Sequence, residues 1–331
     1  MSVTVSDMQI AMVAVDGIFD SGLSALLDVL GTANAVRLQG EEAPPFTVTV
    51  VGADTEVRTG NGLTVATVPA EELPHRPDLL LMPATGFKTP DEVLAAVRSP
   101  ANAWALELSA RLAEAGTPVG AACTGTFFLA EAGALDHLRA TTSWWLGPFF
   151  RSRYPKVVLD ESRTLVQDGQ ATTAGAAFAH IDLALWVVRR HSPELADTVA
   201  RYLLIGDRPS QAAFAVPTLL AQADPMMTAF ERWVRARLAD PPPLAEAARE
   251  LGVSERTLQR TAQAVLGMTP LDFVQEVRLD QATFLLRTTS LSAEAIATRV
   301  GYRNVGTLRA LVRRKRGTTL DALRQGGSGA D

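Results

Sequence analysis

The chain has 331 residues, 47% of them hydrophobic, one cysteine, four histidines and a net charge of −5. That length suits two domains, each able to bury a core. A single cysteine excludes an intrachain disulfide framework and any multi-cysteine metal site, and the four histidines have no metal-ligand spacing. No apolar run is as long as a membrane span, and the N-terminus lacks the basic-then-apolar layout of a signal peptide. The expectation is a cytoplasmic protein without metal, cofactor or membrane contact.

Residues 1–205 alternate short apolar runs with helical patterns. Ile10–Val15, Thr47–Val51 and Leu79–Met82 read as buried strands, Ala103–Ala115 as a helix, and Pro118–Ala122 as a further strand. Leu183–Arg190 and Leu195–Leu204 read as closing helices. This alternation predicts an α/β domain: a parallel sheet with helices on both faces.

The key local feature is Gly120-Ala121-Ala122-Cys123-Thr124-Gly125-Thr126, a strand ending in small residues, then a cysteine, then a helix start. That is the layout of a nucleophile elbow. A thiol beside a helix N-terminus is expected to have a lowered pKa. The same spacing also suits a cysteine serving as a small buried hydrophobe. At the elbow, Thr124 and Gly125 would offer backbone N–H groups to a carboxylate or carbonyl.

Gly206–Asp224, with Pro209 and Pro217 among small residues, reads as the connection between domains. Beyond it the charge reverses: residues 225–331 carry a net +5, the residues before them −10. A basic domain on an acidic protein is the footprint of a polyanion contact confined to one end.

Two helix-turn-helix patterns follow, about fifty residues apart, predicting an all-α domain over 225–325. In the first, Leu244, Ala247, Ala248 and Leu251 form an apolar stripe, Gly252 turns the chain, and Ser254 caps a second helix. Leu258, Ala262 and Val265 lie on its buried side, while Arg256, Thr257, Gln259 and Arg260 lie outside, where their donors suit phosphates and base edges. Thr269-Pro270 starts a long connecting helix carrying Val274, Val277, Ala282 and Leu285. In the second pattern, Ser292 caps a helix with Ile296, Ala297 and Val300, Gly301 turns, and Leu308, Leu311 and Val312 face inward. Arg303, Asn304, Thr307, Arg309 and Arg313 face out. The run Arg313-Arg314-Lys315-Arg316 reads as a phosphate contact or as a solvated helix end. A helical bundle with merely solvated arginines is the plainer alternative. Residues 326–331 read as a disordered tail.

The stretch from 225 to 325 resembles the AraC/XylS family of transcription regulators through Ser254–Arg260, Gly267-Met268-Thr269-Pro270, Arg278-Leu279, Leu285-Leu286, Ile296-Ala297 and Gly301-Tyr302. The resemblance implies seven helices and two helix-turn-helix units entering adjacent major-groove segments of double-stranded DNA. It departs at Leu308 and Val312, where the family usually has phenylalanine, and at Val305, where it usually has proline or a small polar residue.

Residues 8–206 resemble the class I glutamine amidotransferase-like superfamily in its PfpI-like, flavodoxin-like branch. The resemblance is carried by Asp16-Gly17, Leu27–Leu30, Cys123-Thr124-Gly125, Leu129–Gly133, Arg139–Thr142, Tyr154-Pro155 and Thr173–Gly175. The two halves together resemble GlxA-type regulators. Protease-like members place histidine where this chain has Thr124, and GlxA-type chains place histidine where it has Ser143. No catalytic residue is therefore assigned. The elbow and the resemblance together imply a pocket lined by Asp20, Cys123, Thr124, Ser143, Trp144 and Gly175. The expected function is a sequence-specific transcription regulator responding to an unknown small-molecule effector through that pocket. A homodimer and a contact with RNA polymerase are further expectations. The alternative is a cysteine-dependent hydratase or amidase of the isocyanide hydratase kind, with Asp20 or Asp16 as its carboxylate. A third possibility is a first domain that only dimerises.

Overall fold

The computed structural model describes residues 7–37, 43–73, 75–206, 211, 217–221, 224–240 and 243–325. The chain divides into two units, Met1–Gln211 and Ala212–Asp331.

In the first unit the elements run β1 (Met8–Val13), α1 (Asp20–Ala35), β2 (Phe46–Gly52), β3 (Glu56–Arg58), β4 (Thr64–Ala66), β5 (Val68–Pro69), β6 (Leu79–Met82), α2 (Pro90–Val97), α3 (Ala103–Glu114), β7 (Val119–Ala122), α4 (Gly125–Glu131), β8 (Arg139–Ala140), α5 (Gly147–Arg153), β9 (Val158–Leu159), β10 (Leu165–Asp168), β11 (Ala171–Ala174), α6 (His180–His191) and α7 (Pro193–Tyr202). Seven strands make one sheet in the order β10-β11-β7-β6-β1-β2-β5. All pairings in it are parallel except the antiparallel edge β10–β11.

Side chains alternate across a strand, so β1 serves two cores. Ile10 and Met12 pack with α1, α6 and α7, while Ala11 and Val13 pack with residues of α2, α3, α4 and α5. Glu131 ties the second layer together, taking Arg98 at 3.0 Å, Arg153 at 3.1 Å and the Tyr154 hydroxyl at 2.8 Å. The chain leaves β1 for β2 on one side and returns to β6 on the other. The carboxyl ends of β1 and β6 therefore flank a topological switch point, where open α/β sheets place ligands.

The second unit contains α8 (Pro217–Ala221), α9 (Pro225–Ala236), α10 (Leu244–Glu250), α11 (Glu255–Leu266), α12 (Pro270–Thr288), α13 (Ala293–Arg299), α14 (Val305–Arg316) and α15 (Leu320–Gln325). Seven of these described helices begin at or after Pro225. One apolar core joins α8–α11 to the first half of α12, and another joins the second half of α12 to α13–α15. The 19-residue α12 is thus the shared spine, about 28 Å long at 1.5 Å per residue.

The two halves repeat in a register of fifty residues. Ser254 and Asn304 cap α11 and α14 by accepting from Thr257 N (3.1 Å) and Thr307 N (2.9 Å). Gly267 and Gly317 end those helices at φ +69° and +64°, a conformation glycine adopts without strain.

Two expectations need correction. The stretch 206–224 is not connector throughout. Gln211 is buried in the first unit, and α8 packs in the second, where Ala221 is fully buried. The basic run 313–316 is not uniformly available either. Lys315 and Arg316 pair with Glu276 at 2.8 and 2.7 Å, and Arg316 also reaches Asp280 at 3.2 Å. Only Arg313 and Arg314 of the four are exposed. The proposed tail 326–331 lies outside the described residues.

Candidate functional site

Cys123 follows β7 directly and has a φ of +55°. Such a backbone is costly for a side-chain-bearing residue. Neighbouring strands hold it there: Cys123 N donates to Ala174 O at 2.9 Å. Gly125 has no room for a Cβ, which would collide with the carbonyls of Met82 and Pro83. The elbow geometry read from the sequence is present.

Its electrostatics are not those expected. Cys123 is 4% exposed. Burial pushes its thiol pKa up, against smaller lowering effects from the Ser143 hydroxyl and the Thr124 backbone N–H. Desolvation outweighs those hydrogen bonds, because burial removes the hydration that a thiolate needs. The thiol is protonated near neutral pH and sits 2.8 Å from Ser143 Oγ.

The remaining predicted pocket residues are only partly gathered. Thr124 is fully buried, and its hydroxyl accepts from Thr85 N (2.8 Å) and contacts Thr85 Oγ1 (3.1 Å). Asp20 is engaged with the β3–β4 hairpin. Its carboxylate accepts from Thr59 Oγ1 (2.5 Å), Asn61 N (3.1 Å) and Asn61 Nδ2 (2.9 Å). Burial raises its pKa, but these hydrogen bonds prevail and the carboxyl is held below its usual range. Trp144 is half-buried, its ring edge-on to Trp145 at 5.6 Å. Gly175 donates to Thr164 O at 2.8 Å and lies under the Gln211 side chain.

Three residues missed in the sequence complete the surroundings. Thr85 bridges Ile18 of the first loop to Thr124 of the elbow. His180 is fully buried at the start of α6. Its Nε2 accepts from Ala84 N at 3.0 Å and its Nδ1 donates to Ala177 O. Burial pulls its pKa down to about 4, so the ring is neutral. Gln211 packs beside Thr141, Thr142 and Arg163. A lone histidine and a glutamine among small residues carry no periodic signal; only a tertiary contact identifies them.

On the helical unit, Arg256, Gln259 and Arg260 are exposed and share one face of α11 with Gln263, also exposed and not singled out in the sequence. Thr257 is half-buried, its hydroxyl 2.9 Å from the cap Ser254. On the second unit Arg303, Asn304, Thr307, Arg309 and Arg313 are exposed. Asn304 Oδ1 is occupied by Thr307 N and by Thr307 Oγ1 at 3.1 Å. Val305 packs against the second core. Arg278 stacks over the Tyr302 ring at 5.2 Å, joining two segments that carry the family likeness.

Among the described residues no group of three or more His, Cys, Asp or Glu could hold a metal ion, and no helix is long and apolar enough to cross a membrane.

A family model described as DJ-1/PfpI family matches residues 8–190, and one described as Helix-turn-helix domain matches residues 247–326. The HTH-type transcriptional regulator CdhR of Pseudomonas aeruginosa is 31% identical over 250 residues, which are 74% of this chain and 71% of that one. The HTH-type transcriptional regulator GlxA of Rhizobium meliloti is 31% identical over 204 residues, 58% of this chain and 60% of its own length. A crystal structure of a THiJ/PfpI family protein from Pseudomonas syringae aligns with TM-score 0.51 at 19% identity, over 62% of this chain and 77% of that one. That likeness shows the fold of the first unit.

Proposed function

Since the chain belongs to the DJ-1/PfpI family over its first unit and to the helix-turn-helix-type transcriptional regulators over most of its length, we propose that it regulates transcription by binding specific double-stranded DNA as a homodimer. The observation that carries this is the exposed face of α11, where Arg256, Gln259, Arg260 and Gln263 recur at helical spacing. Arginine and glutamine offer the paired donors and acceptors that match guanine and adenine edges in a major groove. Arg303, Arg309 and Arg313 supply the matching set at the second unit. Thr257, Asn304 and Thr307 first serve the helix starts, so their contribution is to place helix N-termini against phosphates. The spine α12, about 28 Å long, is comparable to the roughly 34 Å turn that separates adjacent major-groove segments on one face of a duplex.

The first unit is read as the sensor and dimerisation module. Its elbow is a pocket wall that holds an effector rather than a nucleophile. The thiol is protonated, Thr124 is committed to Thr85, and the Asp20 carboxylate is committed to Thr59 and Asn61. A cytoplasmic location and a contact with RNA polymerase belong to the same reading. Selection of duplexes from a random library by the full-length protein tests it. Enrichment of one motif supports the proposal; equal retention of all sequences opposes it.

A further inference from the structure

Gln211 lies in the stretch expected to connect the two units, yet it is 4% exposed. Its carboxamide lies flat on Gly175. A Cβ on that glycine would fall 2.5 Å from Cδ, Nε2 and Oε1 of Gln211, the three nearest atoms. Nε2 donates toward Thr142 O (2.8 Å), Thr141 Oγ1 (3.1 Å) and Arg163 O (3.2 Å). Oε1 accepts from Ala176 N at 3.0 Å. The Thr141 hydroxyl donates its own hydrogen to Arg163 O at 3.0 Å, which leaves its lone pairs for the amide.

Three acceptors on one side and an N–H donor on the other complement a primary carboxamide. A carboxylate would set an oxygen against three oxygens. An ammonium or guanidinium would leave the Ala176 N–H facing another donor. The seat also borders the elbow: Thr142, whose carbonyl makes the shortest contact to Gln211, donates its hydroxyl to Cys123 O at 2.7 Å.

We propose that this seat is a carboxamide-binding subsite whose resident occupant is Gln211, and that a small molecule bearing a primary carboxamide competes for it. Displacement changes the tether to the second unit. Ile205 is fixed in the first unit, its N bonded to Ala200 O at 2.8 Å, and α8 begins at Pro217 in the second. With Gln211 seated, six peptide links lead to Pro217; with it released, twelve lead there from Ile205. This consequence rests on the sensor reading above; the existence of the subsite does not.

The test uses full-length protein and propionamide, which reproduces the glutamine side chain from Cβ outward, with propionate as its charged counterpart. Gln211→Ala is expected to melt below wild type and to gain melting temperature with rising propionamide but not with propionate. Gln211→Glu and Gly175→Ala are each expected to expel the side chain and to speed proteinase K cleavage within residues 206–216 several-fold, while the fragment ending near residue 205 survives. The proposal is overturned if propionamide and propionate act alike on Gln211→Ala, or if both other variants are cleaved no faster than wild type. Failure of wild type to select any DNA motif would sink the regulator reading instead, leaving the melting and cleavage results to decide the subsite.

Discussion

Cys123 Sγ and Ser143 Oγ lie 2.8 Å apart in a site where Cys123 is 4% exposed and Ser143 not at all. The pair fixes the character of the elbow. A hydroxyl partner of this kind hydrogen-bonds a thiol but cannot take its proton near neutral pH, whereas an imidazole could. Because burial holds the thiol pKa high, iodoacetamide should label native Cys123 at least about tenfold more slowly than a free peptide cysteine. Denaturant should abolish the difference. Native labelling as fast as the peptide would contradict the buried-thiol account.

Cys123→Ser retains a small polar group in the same elbow, so the melting temperature should stay close to wild type. The dependence of DNA binding on effector should change. A transcriptional response identical to wild type would count against the pocket.

His180 sets a pH dependence. Its folded pKa, about 4, lies below its ordinary 6.5. The neutral ring therefore contributes fully above pH 6.5, and that contribution is lost as pH falls toward 4, because only the unfolded chain takes up the proton. The slope approaches about 1.4 kcal/mol per pH unit inside that window. Followed on the first unit alone, His180→Asn should flatten this part of the stability–pH curve; an unchanged slope would mean the ring titrates in place.

The two turn glycines should differ in cost. Gly252 has φ +71° with open space around its missing Cβ, so Gly252→Ala should cost about 1 to 2 kcal/mol from backbone strain alone. Gly301, at φ +82°, would drive a Cβ into the Leu238 carbonyl and the Arg278 guanidinium. Gly301→Ala should exceed about 3 kcal/mol, in the range reserved for structural clashes. Denaturant melts of the two variants decide it, and equal losses would contradict the packing at Gly301.

Much of this was legible in the sequence, for identifiable reasons. Leu79–Met82 was readable as a strand because both faces of β6 are buried, which makes its run continuously apolar. The second unit was legible because caps, turn glycines and stripes recur in a fixed register around Ser254 and Asn304. The pKa of Cys123 was not legible, since spacing reports the helix end and not the depth of burial. Nor were Glu276 and Asp280, whose pairing with Lys315 and Arg316 needs α14 folded back on α12. Gln211 reads as connector in the sequence because its small flanking residues give no sign of a side chain that packs far from its sequence neighbours.

That buried pairing gives a further expectation. Lys315, Arg316 and Glu276 keep 19, 13 and 8% side-chain exposure. Glu276→Ala strands Lys315, leaves Arg316 with Asp280 alone, and should destabilise the second unit by about 3 kcal/mol. Arg313→Ala and Arg314→Ala should instead leave the melt unchanged and each lower the slope of log K against log salt by about 0.9 if it meets a phosphate. Equal effects of all these variants on stability would contradict the division.

The central claim is that α11 reads bases. It is tested most directly by the affinity of wild type and of the Arg256→Ala, Arg260→Ala double variant for the selected duplex and for random duplex, across a salt series. The account predicts tight wild-type binding that survives random competitor. It also predicts a loss of about 1 to 3 kcal/mol for each base-reading arginine, falling mainly on the selected sequence. Wild-type affinity and discrimination in the double variant would contradict it.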